Sequence, residues 1–389
     1  VNFQDATQVC YLDNAKESLL SPGVQYAGFS ALKIPPWQWP TASLKDDVRH
    51  HFASLIGASP DDIAIMASTA FAITLAATNI ARLKKSGGTI VVLQDEMCSQ
   101  IYPWQQAIHE NSTLTFDIVP FMDDFSQGIL DRLNESVVAV SIPNVHWSSG
   151  SLINIDTIST RCRELNIDLI LDGTQSIGIL PTNVASLEPA LMTCSIQKWL
   201  RAPPGMALVY VSPKLQNVWD PLDQHGRNRD FEMQNWNAYP NQMTSKGYPE
   251  KFFSNARKFD SGGTFSNVML SMTLKSLKEV ISLDLSEAQI TLQQIMLPLL
   301  NWATENKIWY PSNHAHHLVG LKPNNLSVEA MLEVSECLAS QGIFISVRNG
   351  FFRISPYINN TKEDIIRLIN AFESCFSLCT AECILSENQ

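Results

Sequence analysis

The sequence has no apolar run near the roughly 18 to 20 residues a membrane-spanning helix needs, and its first residues lack the basic-then-apolar layout of a secretory signal. Those absences lead us to expect a soluble, cytoplasmic protein. Positive charge is also in short supply. Against 38 Asp and Glu there are 27 Lys and Arg, a formal net charge of -11. Nucleic acid and anionic membranes both reward a concentrated positive face, so neither is an expected partner, and a small molecule is the default. Low-complexity tracts and internal repeats are missing too. Cysteine is sparse, with eight scattered through 389 residues, which suits reduced thiols better than a disulfide framework. Cys375, Cys379 and Cys383 share one helix face by spacing, but no fourth ligand stands nearby, so core packing is expected. His314, His316 and His317 precede an apolar run, and two imidazoles on one side do not make a metal site.

What is present is ample material for a core: 45% of the residues are hydrophobic. At this length we expect a large domain over residues 45–270 and a smaller α+β domain built from 1–44 and 271–389. Between Ile63 and Ser212 short apolar runs (IAIMAS, TIVVLQD, FDIVPF, VVAVSIP, DLILDGTQ, LMTCSI, MALVYV) alternate with amphipathic stretches such as Thr157 to Asn166. That alternation predicts an α/β fold with a mostly parallel sheet covered on both faces and ligands at the carboxyl ends of its strands. From Asn217 to Lys258 periodicity fades, and Trp219, Trp236, Tyr239 and Tyr248 sit among turn formers, a substrate- or dimer-facing excursion or a surface insertion. Beyond Asn267 the pattern predicts helix to about Asn306, a strand at LVGL, a helix over Val328 to Ser340, strands at IFISV and FFRIS, and a last helix from Lys362.

The stretch Ile170 to Tyr210 carries the chemistry. A buried-type strand ends in Asp172-Gly-Thr-Gln, and a second strand about twenty residues on ends beside Lys198. Asp before Gly is ordinary turn chemistry, and a lone Lys is usually solvated. Pyridoxal phosphate, however, needs a lysine amine to hold its aldehyde as a Schiff base and a carboxylate to keep its ring nitrogen protonated. Lys198 and Asp172 suit those two tasks.

With HWSSGSLINI, LDGTQSIGILPTNV, KWLRAPPG, ARKFDSGGTFSN and FRISPYINNTKEDI in order, the chain resembles class V pyridoxal phosphate enzymes of fold type I, with a mostly parallel seven-stranded large domain. The HWSSG and ARKFDSGG segments look closer to the isopenicillin N epimerase-like and C-S lyase-like branch. The resemblance implies that Lys198 binds the cofactor and shuttles the Cα proton, that Asp172 pairs with the ring nitrogen, and that Gln175 reaches the ring oxygen. Ser68 and Thr69 stand where a strand gives way to an amphipathic helix whose first amides suit a phosphate; the resemblance assigns the phosphate to Thr69, Ser195 and Gln197, with Gly263 and Thr264 reaching it from the neighbouring subunit of a homodimer. Cys98 stands where desulfurases carry a ring-stacking His, so Tyr102 or His146 is an alternative cover. Trp147 falls where they carry Asn. Arg353 is a carboxylate clamp, which points to an α-amino acid substrate. Trp37, Trp39 and Trp236 are candidates to wall a pocket.

The segment SVRNGFFRIS holds no cysteine, whereas desulfurases place a persulfide-forming cysteine there. We therefore expect Cα deprotonation of a substrate–cofactor Schiff base followed by epimerisation, side-chain elimination or cyclisation in specialised metabolism, and not cysteine desulfuration. Transamination is one alternative. A noncatalytic cofactor- or partner-binding protein is another.

Overall fold

The computed structural model describes residues 9–230, 250–263, 265–324 and 326–386, with side chains to residue 376. The chain enters through β1 (Cys10–Tyr11), α1 (Pro22–Leu32) and α2 (Thr41–Ile56). Strands and helices then alternate: β2 (Ile63–Met66), α3 (Thr69–Leu83), β3 (Gly88–Leu93), α4 (Cys98–Glu110), β4 (Leu114–Val119), α5 (Phe125–Leu130), β5 (Val137–Pro143), α6 (Ile155–Leu165), β6 (Asp168–Asp172), α7 (Val184–Leu187), β7 (Leu191–Ser195), β8 (Ala207–Val211) and α8 (Pro213–Gln216). The last part comprises α9 (Asn267–Ile281), α10 (Leu285–Glu305), β9 (Val319–Leu321), α11 (Val328–Ser340), β10 (Ile343–Phe344), β11 (Ser346–Arg348), β12 (Phe351–Ile354) and α12 (Lys362–Ser386).

A seven-stranded sheet in the order β2-β8-β7-β6-β5-β3-β4 forms the centre, and β8 alone runs against the others. Its strands read as apolar runs because alternate side chains enter two cores. Ile63, Ile65, Val91 and Leu93 face α2, α5, α6 and α9, while Ala64, Met66, Ile90 and Val92 face α3 and α4. A third core joins α10, α11 and α12 to β9, β11 and β12, and takes in Cys10 and Leu12 from the entering arm. Between it and the sheet lies a smaller cluster that includes Ala15, Ile179, Trp199, Leu292, Leu318 and Tyr357.

The expected helix from Asn267 to Asn306 is two helices. Asp284 caps the second by accepting from the amides of Ser286 and Glu287. One expectation about thiols is overturned: Cys337 on α11 and Cys375 on α12, 38 positions apart in sequence, form a disulfide with 6.1 Å between their Cα atoms. The side-by-side packing of those helices brings the pair together, and sequence spacing is silent on it. Cys375 is thus a paired core residue; the side chains of Cys379 and Cys383 lie outside the described residues.

One buried ion pair fixes the free edge of the sheet. Arg49 on α2 pairs with Asp260, whose other oxygen accepts from the amide of Ile65 at 2.9 Å. Next to it, Ser261 Oγ accepts from the Ala67 amide at 2.9 Å. The segment leading to Gly263 is therefore held beside the start of α3. Replacing Asp260 with Ala strands the Arg49 guanidinium in the interior, and we expect a loss of about 3–5 kcal/mol. Asp230→Ala, which breaks an exposed pair with Lys251, is expected to cost under about 1 kcal/mol. Urea denaturation midpoints of the two variants check both values.

Candidate functional site

The carboxyl ends of the parallel strands converge on Lys198. This lysine occupies the turn between β7 and β8, a turn closed by the Arg201 amide donating to the Lys198 carbonyl at 2.9 Å and by Ala202 donating to Ile196. Gly178 explains how closely a neighbouring loop approaches. Its φ is +100°, and a Cβ there would fall 2.6 Å from the Trp199 carbonyl oxygen. Burial pushes the Lys198 amine down to about 8, and the positive charge of Arg353 acts in the same direction; Asp172, Cys194 and Glu96 pull it back. A substantial fraction of the amine is thus neutral near physiological pH.

Asp172 ends β6, where its Oδ1 accepts from the Thr174 amide at 2.9 Å. The Thr174 hydroxyl in turn accepts from the Ser195 amide at 3.1 Å, tying the ends of β6 and β7 together. Burial raises the Asp172 carboxyl, and the Thr174 contacts and Lys198 oppose it. A cation placed against Asp172 would offset that desolvation.

Three residues on, Gln175 is buried with both ends of its amide engaged. Its Oε1 accepts from Trp199 Nε1 at 2.9 Å, and its Nε2 donates to the Ala15 carbonyl at 3.1 Å. Arg353, 2% exposed on β12, donates from Nη2 to Asp13 at 3.1 Å and from Nη1 to the Trp147 carbonyl at 3.1 Å, while its buried Nε has no partner. At the other side of the site Ser68 caps α3 by accepting from the Phe71 amide, so Thr69 and Ala70 head a 15-residue helix with their amides free of the intrahelical ladder. Ser195 Oγ is buried without a partner. Gln197 lies partly buried one residue before Lys198.

The remaining residues singled out in the sequence are placed less centrally. His146 is fully buried with its ring 5.1 Å from Phe125, and its Nδ1 bonds Ser149 at 2.9 Å. Its ring is thus committed to an aromatic pocket, where burial lowers its pKa to about 4. Cys98 is an exposed thiol at the first turn of α4, and Tyr102 is 63% exposed on the same helix. Trp147 Nε1 donates to the Asp95 carbonyl. Trp37 and Trp39 are exposed, and Trp219 is core. Thr264, Trp236, Tyr239 and Tyr248 lie outside the described residues. No metal-binding cluster occurs among the described residues.

Sequence reasoning missed two acids. Asp13, in YLDNA, is the partner of Arg353. Glu96, in the loop after β3, accepts from the Met97 amide through one oxygen, while the other is buried and unpartnered. Burial raises Glu96 to about 8, with Asp172 acting the same way and Lys198 against. The DEM tripeptide gave no pattern to separate this carboxyl from a solvated one.

A buried carboxyl, a partly neutral lysine, an unpaired hydroxyl, an unpaired guanidinium N–H and a helix N-terminus suited to an anion together fit pyridoxal phosphate. Comparison with known proteins leads to the same cofactor. The aminotransferase class-V family profile matches residues 37–368. An uncharacterized aminotransferase, YcbU of Bacillus subtilis, is 22% identical over 351 residues, 88% of this chain and 87% of its own. Cysteine desulfurase IscS of Pasteurella multocida is 29% identical over 194 residues, 48% of this chain, which here spans about half the relative's length (46%). Among solved structures, the apo cysteine desulfurase of Thermococcus onnurineus NA1 has a TM-score of 0.81 at 17% identity, covering 95% of this chain and 94% of that one. The cystine C-S lyase C-DES, in complex with cysteine persulfide, has a TM-score of 0.80 at 16% identity over 94% and 97%.

These likenesses correct one expectation. Desulfuration had been excluded because no cysteine precedes the Arg353 strand, yet proteins named cysteine desulfurases recur among both the curated relatives and the structural neighbours. The exclusion does not follow chemically either, since the thiol that attacks the substrate sulfur can come from outside this one turn, a free thiol included. In fold, cofactor and sequence profile, the chain belongs to the aminotransferase class-V family of pyridoxal phosphate enzymes.

Proposed function

We propose that this enzyme cleaves the carbon–sulfur bond of a sulfur-bearing α-amino acid, as its desulfurase-like and C-S lyase-like relatives are named to do. The observation that carries the reading is Lys198, an amine with a depressed pKa set between the buried carboxyl of Asp172 and the guanidinium of Arg353. When bound, pyridoxal phosphate supplies an electron sink for charge that develops at Cα. Lys198 holds the cofactor and, once free, takes the Cα proton. Asp172 pairs with the ring nitrogen, and Gln175 donates to the ring oxygen. The amides heading α3, with Ser68, Thr69, Ser195 and Gln197, hold the phosphate. Arg353 takes the substrate carboxylate through its open edge, Asp13 and the Trp147 carbonyl keeping the guanidinium in place. The working unit is a homodimer in which Gly263 and Thr264 approach the partner's phosphate.

Transamination is the second reading, favoured by the similarity to YcbU over 88% of this chain. Product analysis separates the two. With cysteine and an acceptor thiol, sulfur transfer leaves alanine; with cystine, elimination gives pyruvate, ammonia and cysteine persulfide. Transamination instead returns a keto acid with its side chain intact, and that product without released sulfur would sink the first reading.

Two further outcomes are expected. Lys198 attacks the cofactor aldehyde only when unprotonated, and its pKa is depressed. The rate at which cofactor-free protein regains visible absorbance with pyridoxal phosphate therefore rises with pH through a midpoint near 8, and not near the ordinary lysine value. Arg353→Gln combined with Asp13→Asn removes both buried charges together. It lowers kcat/KM for the amino acid by about 30- to 1000-fold, and leaves the slow turnover of the amine lacking the carboxylate within about threefold of wild type.

A further inference from the structure

The Gln175 side-chain amide is fixed at two points and its main-chain carbonyl at a third, by residues from three separate parts of the chain. An indole N–H only donates, so the atom facing Trp199 at 2.9 Å is the amide oxygen. A carbonyl only accepts, so the atom facing Ala15 at 3.1 Å is the amide nitrogen. The same two contacts also forbid the flipped amide, which would set the oxygen against the Ala15 carbonyl and N–H against N–H at Trp199. Behind it, His317 Nε2 lies 2.7 Å from the Gln175 main-chain oxygen, so that nitrogen carries the hydrogen, and His317 Nδ1 is left to accept from Gln289 at 3.3 Å. Trp199 is itself immobilised: it is fully buried, it meets the His317 ring edge-on at 4.6 Å, and it packs in the cluster containing Ala15, Leu292 and Tyr357.

Of the two amide hydrogens of Gln175, Ala15 uses one. We propose that Trp199, together with the Ala15 carbonyl, is a positioning residue that holds the Gln175 amide in a single orientation, so that its remaining N–H is presented to the ring oxygen of the cofactor. This rests on the reading of Gln175 as the donor to that oxygen. The residue directly after the reactive lysine thereby tunes the cofactor without touching it.

The test is the pH titration of the visible absorbance of the holoenzyme, with the dissociation constant for pyridoxal phosphate measured beside it. A donor at the ring oxygen draws negative charge away from the nearby Lys198 nitrogen and lowers that nitrogen's affinity for a proton. Trp199→Phe keeps an aromatic ring and deletes the N–H, and with one anchor left the amide pivots. The midpoint is expected to rise by about half a pH unit, with cofactor binding weakened about threefold. Gln175→Ala shifts the midpoint the same way. Trp199→Phe added to Gln175→Ala moves it no further, because the indole acts only through the amide. A midpoint unmoved by Gln175→Ala sinks the reading of Gln175, and this proposal with it. A midpoint that responds to Gln175→Ala but ignores Trp199→Phe, or shifts independently in the double variant, overturns the role of Trp199 alone. Should the Phe variant not fold, benzothienylalanine at position 199 retains the indole shape, lacks only the donor, and gives the same readout.

Discussion

The constraint on which the rest of the structure depends is the partial withdrawal of an amine from water. Lys198 loses hydration at the end of the sheet, and the same desolvation acts on Asp172 and Glu96, pushing the base down and the acids up. Groups of opposite charge are thereby all moved towards neutrality in one pocket. A site of this kind stays intact only if the charge that cannot be neutralised, the Arg353 guanidinium, brings its own counter-ion. Asp13 supplies it, and the Ser346 hydroxyl fixes the same carboxylate oxygen at 2.8 Å.

The entering arm is consequently more than a terminal strand. Cys10 and Leu12 donate to the carbonyls of Gly342 and Phe344, and Asn14 Nδ2 reaches the Ser355 carbonyl at 2.9 Å. Asp13 and Ala15, on either side of Asn14, turn to Arg353 and Gln175. The sheet places Lys198, but the orientation of Arg353 and Gln175 beside it is set from the arm. Rigid strands place the chemistry, and a peripheral segment aims it.

The sheet was legible in the sequence because a strand buried on both faces must be apolar along its whole length, and VVAVSIP, DLILD and MALVYV leave no other efficient solution. The helix near Val328 to Ser340 was legible too, and the structure adds the cap at its start, Ser327 accepting from the Ala330 amide. Lys198, Asp172 and Gln175 are local to two strand ends, so their proximity follows from strand order. Asp13 meets Arg353 across 340 residues of chain, and Cys337 meets Cys375 across two helices. Such pairs depend on tertiary packing, and neither partner carries a local signal. His146 shows another limit: its place in the sequence makes it a candidate ring cover, whereas Phe121 and Phe125 form a pocket that takes its ring.

The turn before Arg353 shows how a sequence absence was read too far. Asn349 and Gly350, with φ of 49° and 75°, close β11 onto β12 in a two-residue hairpin turn, a geometry that needs positive φ at both positions. A turn so short carries no mobile thiol towards the site. In the proposed reaction Lys198 is the base at Cα, the cofactor the electron sink and Arg353 the carboxylate clamp, and the thiol that attacks the substrate sulfur is supplied from outside this turn. The hairpin therefore bears on what receives the sulfur. On the proposed function, Cα is deprotonated at the end of β7, where the amine, the acids and the guanidinium meet.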